Sequence, residues 1–343
     1  MKAILQDRYG TEDVLRFGKR PVPVPADDEV LVRVIATSMH PDVWHVTAGL
    51  PYVLRIMGSG LRRPHNPVPG TDLSGIVESV GAGVTRFRPG DAVFGETLRG
   101  MQWMNGGAYA EYACAPESAL VHLPARISFE VAAAVPTAGL IAIANLQAAA
   151  NLPRGARVLV NGAAGGVGSL ALQILKSRGL HVTAIDHGDK LEFLRGLGAD
   201  ETIDYTQEDF TQRSERYAFL LDVASNRSFD ECRRVLSPDG AYVVVGHDHF
   251  GQTRTRWFGM IPRMFGLMIR ALFTRQLPRP IFELPDRATS LELLRKLLDE
   301  GHLTPHVDRV FDLADTALAL RTMMEGKTRG KIVIRVAPDP PNR

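Results

Sequence analysis

The stretch Arg157-Val158-Leu159-Val160 runs directly into Asn161-Gly162-Ala163-Ala164-Gly165-Gly166-Val167-Gly168 and then into Ser169-Leu170-Ala171-Leu172-Gln173-Ile174-Leu175. An apolar, β-branched run, a glycine-rich turn and apolar residues at helical spacing read as strand, turn and helix. Glycine lets the backbone approach a pyrophosphate, and a helix N-terminus offers unpaired N–H groups and a partial positive charge to it. The match is Ala163-x-Gly165-x-x-Gly168, with alanine where the strict fingerprint has its first glycine. Such a turn also forms simply to pack a helix on a strand, so a second signal is needed. It comes about twenty positions on, where the strand 181–185 ends in Asp186. An acid there accepts hydrogen bonds from an adenosine ribose and repels a 2′-phosphate, which leans to NADH over NADPH. His187 and Lys190 lie close enough to oppose that lean, and a solvated turn residue is the bland alternative for Asp186.

Working outward, residues from about 129 onward alternate between an Ala-rich helix, strands 157–160 and 181–185, and helices 166–178 and from 189. Apolar runs at 219–223 and 242–245 add buried strands up to Gly246. This alternation predicts a doubly wound parallel sheet covered by helices. Residues 1–125 differ, with short β segments at 2–6, 29–36, 73–80, 92–95 and 109–115, separated by Gly and Pro, and almost no helical periodicity. A helix at 291–299 and a strand at 331–336 close the chain and are expected to return to the first unit. The fold class is thus α/β: a β-rich catalytic and substrate domain at 1–125, a Rossmann dinucleotide-binding domain at 126–280, and a return segment at 281–343.

With 343 residues, two domains and a large core are expected. The 40 basic and 38 acidic side chains are nearly balanced, without the like-charge run of a nucleic-acid arm. Two cysteines, Cys114 and Cys232, exclude a disulfide framework and a multi-cysteine zinc lobe. The chain carries neither a signal-peptide pattern nor the roughly 20-residue apolar run of a membrane span. These features point to a reducing, cytoplasmic setting.

The stretch Pro69-Gly70-Thr71-Asp72-Leu73-Ser74-Gly75, continuing through Val77-Glu78-Ser79-Val80-Gly81 to Arg88-Pro89-Gly90-Asp91-Ala92-Val93-Phe94-Gly95, resembles the quinone oxidoreductase signature of the medium-chain dehydrogenase/reductase superfamily. Gly106-Gly107-Ala108-Tyr109, Val135-Pro136-Thr137-Ala138-Gly139, Leu197-Gly198-Ala199-Asp200, Ile203-Asp204-Tyr205 and Gly330-Lys331-Ile332-Val333 follow in the same order. The resemblance covers nearly the whole length. It implies a GroES-like first domain, an NAD(P)H cofactor, NADPH being common in the family, and a homodimer paired through an edge strand of the cofactor sheet. Thr137, Gly162, Ala163, Ala164, Gly165, Gly166, Val167, Gly168, Asp186, Lys190, Tyr205 and Gly246 are the candidate cofactor-binding residues. Zinc-dependent members hold their catalytic metal at three places that here read His40, Thr71-Asp72 and the Pro136-Thr137 region. One His and one carboxylate fall short of the three protein ligands that catalytic zinc needs, so no metal site is expected.

The expected reaction is therefore reduction of a quinone, enone or similar activated double bond or carbonyl in a small hydrophobic substrate. A zinc-free alcohol dehydrogenase and a dinucleotide-binding redox sensor without turnover are the alternatives. His40 stands where relatives place an Asn, and it is a candidate donor to a substrate carbonyl, against a role in satisfying a backbone group. Tyr52 aligns with the tyrosine that enoyl reductases of the superfamily use as proton donor, against a place on the cleft rim. Asp42 stands one place from the Asp that relatives set next to the nicotinamide, Trp44 reads as core packing or a cleft wall, and Asp72 and Cys114 read as structural. Residues 257–273 carry apolar side chains at helical spacing with Arg254, Arg256, Arg263, Arg270, Arg275 and Arg279 interspersed. Three roles fit that segment: shaping a hydrophobic pocket over the cleft with 54–63 as the facing wall, packing in a dimer, or touching an anionic membrane surface.

Overall fold

The structure, a computed structural model, describes residues 1–99, 104–246, 256–278 and 286–339. The first part holds β1 (Lys2–Leu5), β2 (Arg16–Lys19), β3 (Glu29–Met39), α1 (Pro41–Ala48), β4 (Asp72–Val80), β5 (Ala92–Glu96), β6 (Tyr112–Pro116) and β7 (Leu120–His122). Two helices follow, α2 (Phe129–Ala133) and α3 (Pro136–Asn145). The alternating part is β8 (Arg157–Asn161), α4 (Gly166–Ser177), β9 (His181–Asp186), α5 (Leu191–Gly196), β10 (Glu201–Asp204), β11 (Tyr217–Asp222), α6 (Phe229–Cys232) and β12 (Leu236–Val244). Then come α7 (Ile261–Arg270), α8 (Arg287–Asp299), β13 (Val307–Asp312), α9 (Thr316–Met324) and β14 (Lys331–Arg335).

Strands β8 to β12 form a parallel sheet in the order β10-β9-β8-β11-β12, the nucleotide-binding arrangement in which the chain steps outward from β8 in both directions. A second sheet runs β13-β14-β3-β4-β5-β7, with β6 beside the first half of β3 and β14 beside its second half. The two sheets share one apolar core. Val158, Val160, Leu170, Leu172 and Val182 belong to the same buried cluster as Ile35, Phe94, Val121 and Val333 of the mixed sheet, bridged by Ala138, Ala142 and Leu294. Each such aliphatic side chain contributes about 1.5–3 kcal/mol when fully buried.

Several expectations need correction. The first part does contain a helix, α1, missed because its Val43, Val46 and Thr47 are β-branched; His40 precedes it and Pro41 sits in its first turn. The Ala-rich helix is two helices. Ser128 Oγ accepts from the Val131 N–H to start α2, and Pro136 starts α3 afresh. The strand expected at 109–115 begins only at Tyr112, since Tyr109 is fully buried with its hydroxyl on the Ser38 carbonyl, 2.9 Å. The helix expected from 189 is a tight turn at Gly188–Lys190 followed by α5. Strand β12 and helix α8 begin earlier than expected, and β13 and α9 went unread. Of the basic amphipathic segment, Ile261–Arg270 is helical, whereas Arg254, Arg279 and the boundary at 280 lie outside the described residues. Among the described residues, no helix is long and apolar enough to cross a membrane.

Candidate active site

The glycine-rich turn joins β8 to α4, as expected from the strand-turn-helix reading. Gly162 has φ +81°, which favours glycine, and the Gly162 and Ala163 N–H groups both donate to the Ile185 carbonyl at 3.0 Å. A Cβ on Gly168 would drive into the Gly162 carbonyl and lie 2.7 Å from Ala163 Cα, so that glycine exists for helix-on-strand packing. Gly165 differs. A Cβ there meets nothing nearer than the Gly162 oxygen at 3.9 Å, so the glycine preserves an open cradle at the N-terminus of α4, where no side chain caps the first turn. Open room beside a helix start lacking a side-chain cap fits a phosphate group.

Beside that cradle stand Asp186, Lys190 and Tyr205. Asp186 is buried at the end of β9, accepting from Ala164 N and His187 N at 2.9 Å each. Its Oδ1 is 3.5 Å from Lys190 Nζ, which donates to the Gly326 carbonyl at 2.7 Å. Asp186 thus shapes the turn. Tyr205 is exposed beside His187, ring centroids 6.0 Å apart, and Gly246 follows β12 with φ +81°. From the far side, β14 seals the turn: Gly330 N donates to the Ala164 carbonyl at 2.7 Å, and the Lys331 stem covers Gly166.

Beyond Lys331 lies a buried polar cluster drawn from five elements. Asp72 accepts from Ser38 Oγ at 2.5 Å, Thr137 N at 2.9 Å and Thr137 Oγ1 at 2.6 Å, with Lys331 Nζ 3.5 Å away. Thr137 Oγ1 is also 2.7 Å from Glu96 Oε1. One hydroxyl carries one proton and cannot donate to both carboxylates, so the second short contact needs a proton on an acid. Asp72, with three donors and an ammonium facing it, is the ionised partner. Glu96 is therefore the acid that keeps its proton and donates to Thr137. Burial, then the Asp72 charge, pushes the Glu96 pKa up, while Arg287, 3.5 Å from Oε2, offsets only part of that. Burial likewise pulls the Lys331 pKa down against the attraction of Asp72, and its Nζ has no aligned acceptor among the described residues.

His40 joins this cluster. Its Nε2 is 2.7 Å from Thr71 Oγ1, which lies 3.4 Å from Thr137 Oγ1, and its Nδ1 faces Asp42 Oδ2 at 3.3 Å. Burial raises the Asp42 pKa, but the adjoining His40, together with His45 and Lys331, more than reverses this, and the carboxyl is lowered from its ordinary value. His40 is buried between two side chains and satisfies no backbone group. Tyr52 lies apart from that chain of contacts. It donates its N–H to the Arg256 carbonyl at 2.8 Å, while its ring stands edge-on to Trp257 at 5.3 Å and under the Arg55 guanidinium at 4.8 Å. Trp44 is core. Burial pushes the Cys114 thiol up to about 12, unsuited to a nucleophile. Glu96 and Lys331 had no assigned role in the sequence. The available signal was an acid and a lysine ending or starting otherwise apolar strands.

Family models match both halves: "Alcohol dehydrogenase GroES-like domain" over residues 26–125 and "Zinc-binding dehydrogenase" over 197–334. The chloroplast envelope quinone oxidoreductase homolog of Arabidopsis thaliana is 31% identical over 97% of this chain and 98% of its own length. The mitochondrial NAD(P)H oxidoreductase RTN4IP1 of Danio rerio is 28% identical over 99% of this chain and 92% of its own. The solved quinone oxidoreductase of Coxiella burnetii superposes with a TM-score of 0.81 at 28% identity, covering 98% of this chain and 99% of that one. The chain belongs to the medium-chain dehydrogenase/reductase superfamily, an oxidoreductase family, and within it to the quinone oxidoreductase-like branch.

Proposed function

We propose that the chain reduces an activated carbon-carbon double bond or carbonyl, of the enone or quinone kind, by hydride transfer from NADH or NADPH and without zinc. The observation that carries the reading is what fills the three places of the catalytic metal in zinc-dependent members: His40, Thr71 with Asp72, and Thr137, the imidazole and the two hydroxyls being linked at 2.7 and 3.4 Å. One imidazole, two hydroxyls and a carboxylate already held by Ser38 and Thr137 are a poor donor set for zinc, which takes three ligands from thiolate, imidazole and carboxylate. Among the described residues, no three His, Cys, Asp or Glu side chains gather as a metal would require.

A bound nicotinamide dinucleotide would supply the hydride. The turn Gly162, Ala163, Ala164, Gly165, Gly166, Val167 and Gly168 would hold its phosphates, Asp186, Lys190 and Tyr205 its adenosine end, and Thr137 and Gly246 the other end. The substrate oxygen needs a donor. His40 faces Asp42 with Nδ1 and Thr71 with Nε2, and an Nε2–H given to Thr71 leaves the Thr71 hydroxyl free to donate onward. Here His40 is a positioning residue acting through Thr71. Hydride at the β carbon and a proton from Tyr52 or water at the α carbon complete a two-electron reduction. A homodimer paired through an edge strand of the parallel sheet, where β10 and β12 lie outermost among the described strands, belongs to the same reading.

The test is a nicotinamide fluorescence titration with NADH and NADPH, followed by a quinone, an enone, an aldehyde and an alcohol with oxidised cofactor. Tight binding and oxidation of the reduced cofactor by the quinone or enone, undiminished by chelator, is the expected result. Binding without any turnover, or turnover lost with a stoichiometric zinc, overturns it.

A further inference from the structure

The face that α7 turns toward the protein carries its arginines together with Leu267, which packs on the core cluster of Tyr242 and Leu277. Arg263 donates to the Ser225 and Arg227 carbonyls, at 2.8 and 2.5 Å, and Arg270, one heptad on, pairs with Asp230 of α6. No residue of α7 is buried. On the opposite side Phe258, Phe265, Met268, Ile269 and Leu272 share one stripe at helical spacing, with Leu272 72% and the adjacent Phe273 85% exposed. Beyond Leu267 and Ala271, which face the core, the larger apolar stripe of this helix points outward, unlike that of an ordinary surface helix. The segment does not shape a pocket with that stripe; it shows the stripe to solvent.

A second apolar strip adjoins it. Val53 N and Tyr52 N donate to the Trp257 and Arg256 carbonyls at 3.0 and 2.8 Å, which joins the stretch before α7 to residues 52–61. There Ile56 is 75% and Leu61 70% exposed. A monomeric protein rarely shows so many contiguous large apolar side chains unless they mark an interaction site. The charge around them is one-sided. In a chain with 38 acidic residues, neither 43–71 nor 256–278 contains an Asp or Glu, while Arg62, Arg63, Arg256 and Arg275 stand exposed along the band.

We propose that this band docks the protein on an anionic lipid bilayer, with the α7 stripe and Ile56 and Leu61 entering the headgroup boundary and the four arginines engaging the lipid charges. A helix lying in the membrane plane needs an apolar face free of the protein and basic side chains at its margins, and α7 has both. A second copy of the chain fits less well, because a two-fold contact through this band would set its exposed arginines against themselves.

Flotation of the purified full chain with phosphatidylcholine vesicles, with and without phosphatidylglycerol, tests this. The protein is expected to float with the phosphatidylglycerol vesicles and to be released by salt. Arg62→Gln and Arg63→Gln should each weaken partition about five-fold. Phe265→Glu with Ile269→Glu should abolish it while leaving the circular dichroism melt and NADPH titration unchanged, since both side chains point away from the body. Failure to bind either vesicle, equal binding to both, or wild-type binding by the double glutamate variant would overturn the proposal. So would sedimentation velocity showing that the same substitutions dissociate a dimer that does not bind vesicles.

Discussion

Thr137→Val removes one hydroxyl at nearly constant volume, and the structure sets what that costs. Thr137 Oγ1 donates to the ionised Asp72 at 2.6 Å and accepts from Glu96 at 2.7 Å, and both carboxyl groups are fully buried. A hydrogen bond to a charged group contributes about 1.5–3 kcal/mol, a neutral one about 0.5–1.5. Asp72 keeps Ser38 Oγ, the Thr137 N–H and the nearby Lys331, so its charge is not left bare. The Glu96 proton loses its acceptor outright. The expected loss is therefore about 2–4 kcal/mol, measured as the shift in urea-unfolding free energy by circular dichroism, with Thr137→Ser within about 1 kcal/mol of the parent because it retains the hydroxyl. If Thr137→Val unfolds within about 0.5 kcal/mol of the parent, the hydroxyl is not the bridge and the protonated state assigned to Glu96 falls with it.

Glu96→Gln mimics the neutral acid. Because the folded-state pKa of Glu96 is raised, its contribution is full below the unfolded carboxyl value near 4.3 and is lost as pH climbs through the raised one. The variant should match the parent in thermal melts under acid conditions and exceed it increasingly toward alkaline pH; a constant offset would contradict this. Gly165→Val should fold normally but weaken NADH and NADPH binding at least ten-fold, about 1.4 kcal/mol, whereas Gly168→Ala should cost about 1–3 kcal/mol of stability through backbone crowding, so equal melts for the two would refute the division of roles. Asp186→Ser should shift the ratio of dissociation constants toward NADPH by removing a negative charge beside Lys190, and an unchanged ratio would confine Asp186 to holding the turn.

What the sequence disclosed was what is local. The β8–turn–α4–β9 unit is contiguous, its glycines have separate steric reasons, and Asp186 falls where the second strand ends. The polar cluster is the opposite case. Ser38, Asp72, Glu96, Thr137 and Lys331 are brought together from β3, β4, β5, α3 and β14 by sheet pairing that no spacing announces. Periodicity found the amphipathic character of α7 without its direction, because a stripe of apolar residues specifies a face and says nothing of which way that face turns. Strand β13 was hidden by adjacent charges at Asp308 and Arg309, the latter exposed, which make it read as a loop.

The contact of Gly330 and Lys331 with the glycine turn has a bearing on how the protein is made. The turn is translated near the middle of the chain, yet its carbonyl at Ala164 and its flank at Gly166 are covered only by residues 330 and 331. Residues 330 and 331 emerge long after the β8–turn–α4 unit, so that unit forms before its seal exists. Closing the turn is consequently a late, long-range step of folding, not part of the local strand-turn-helix unit.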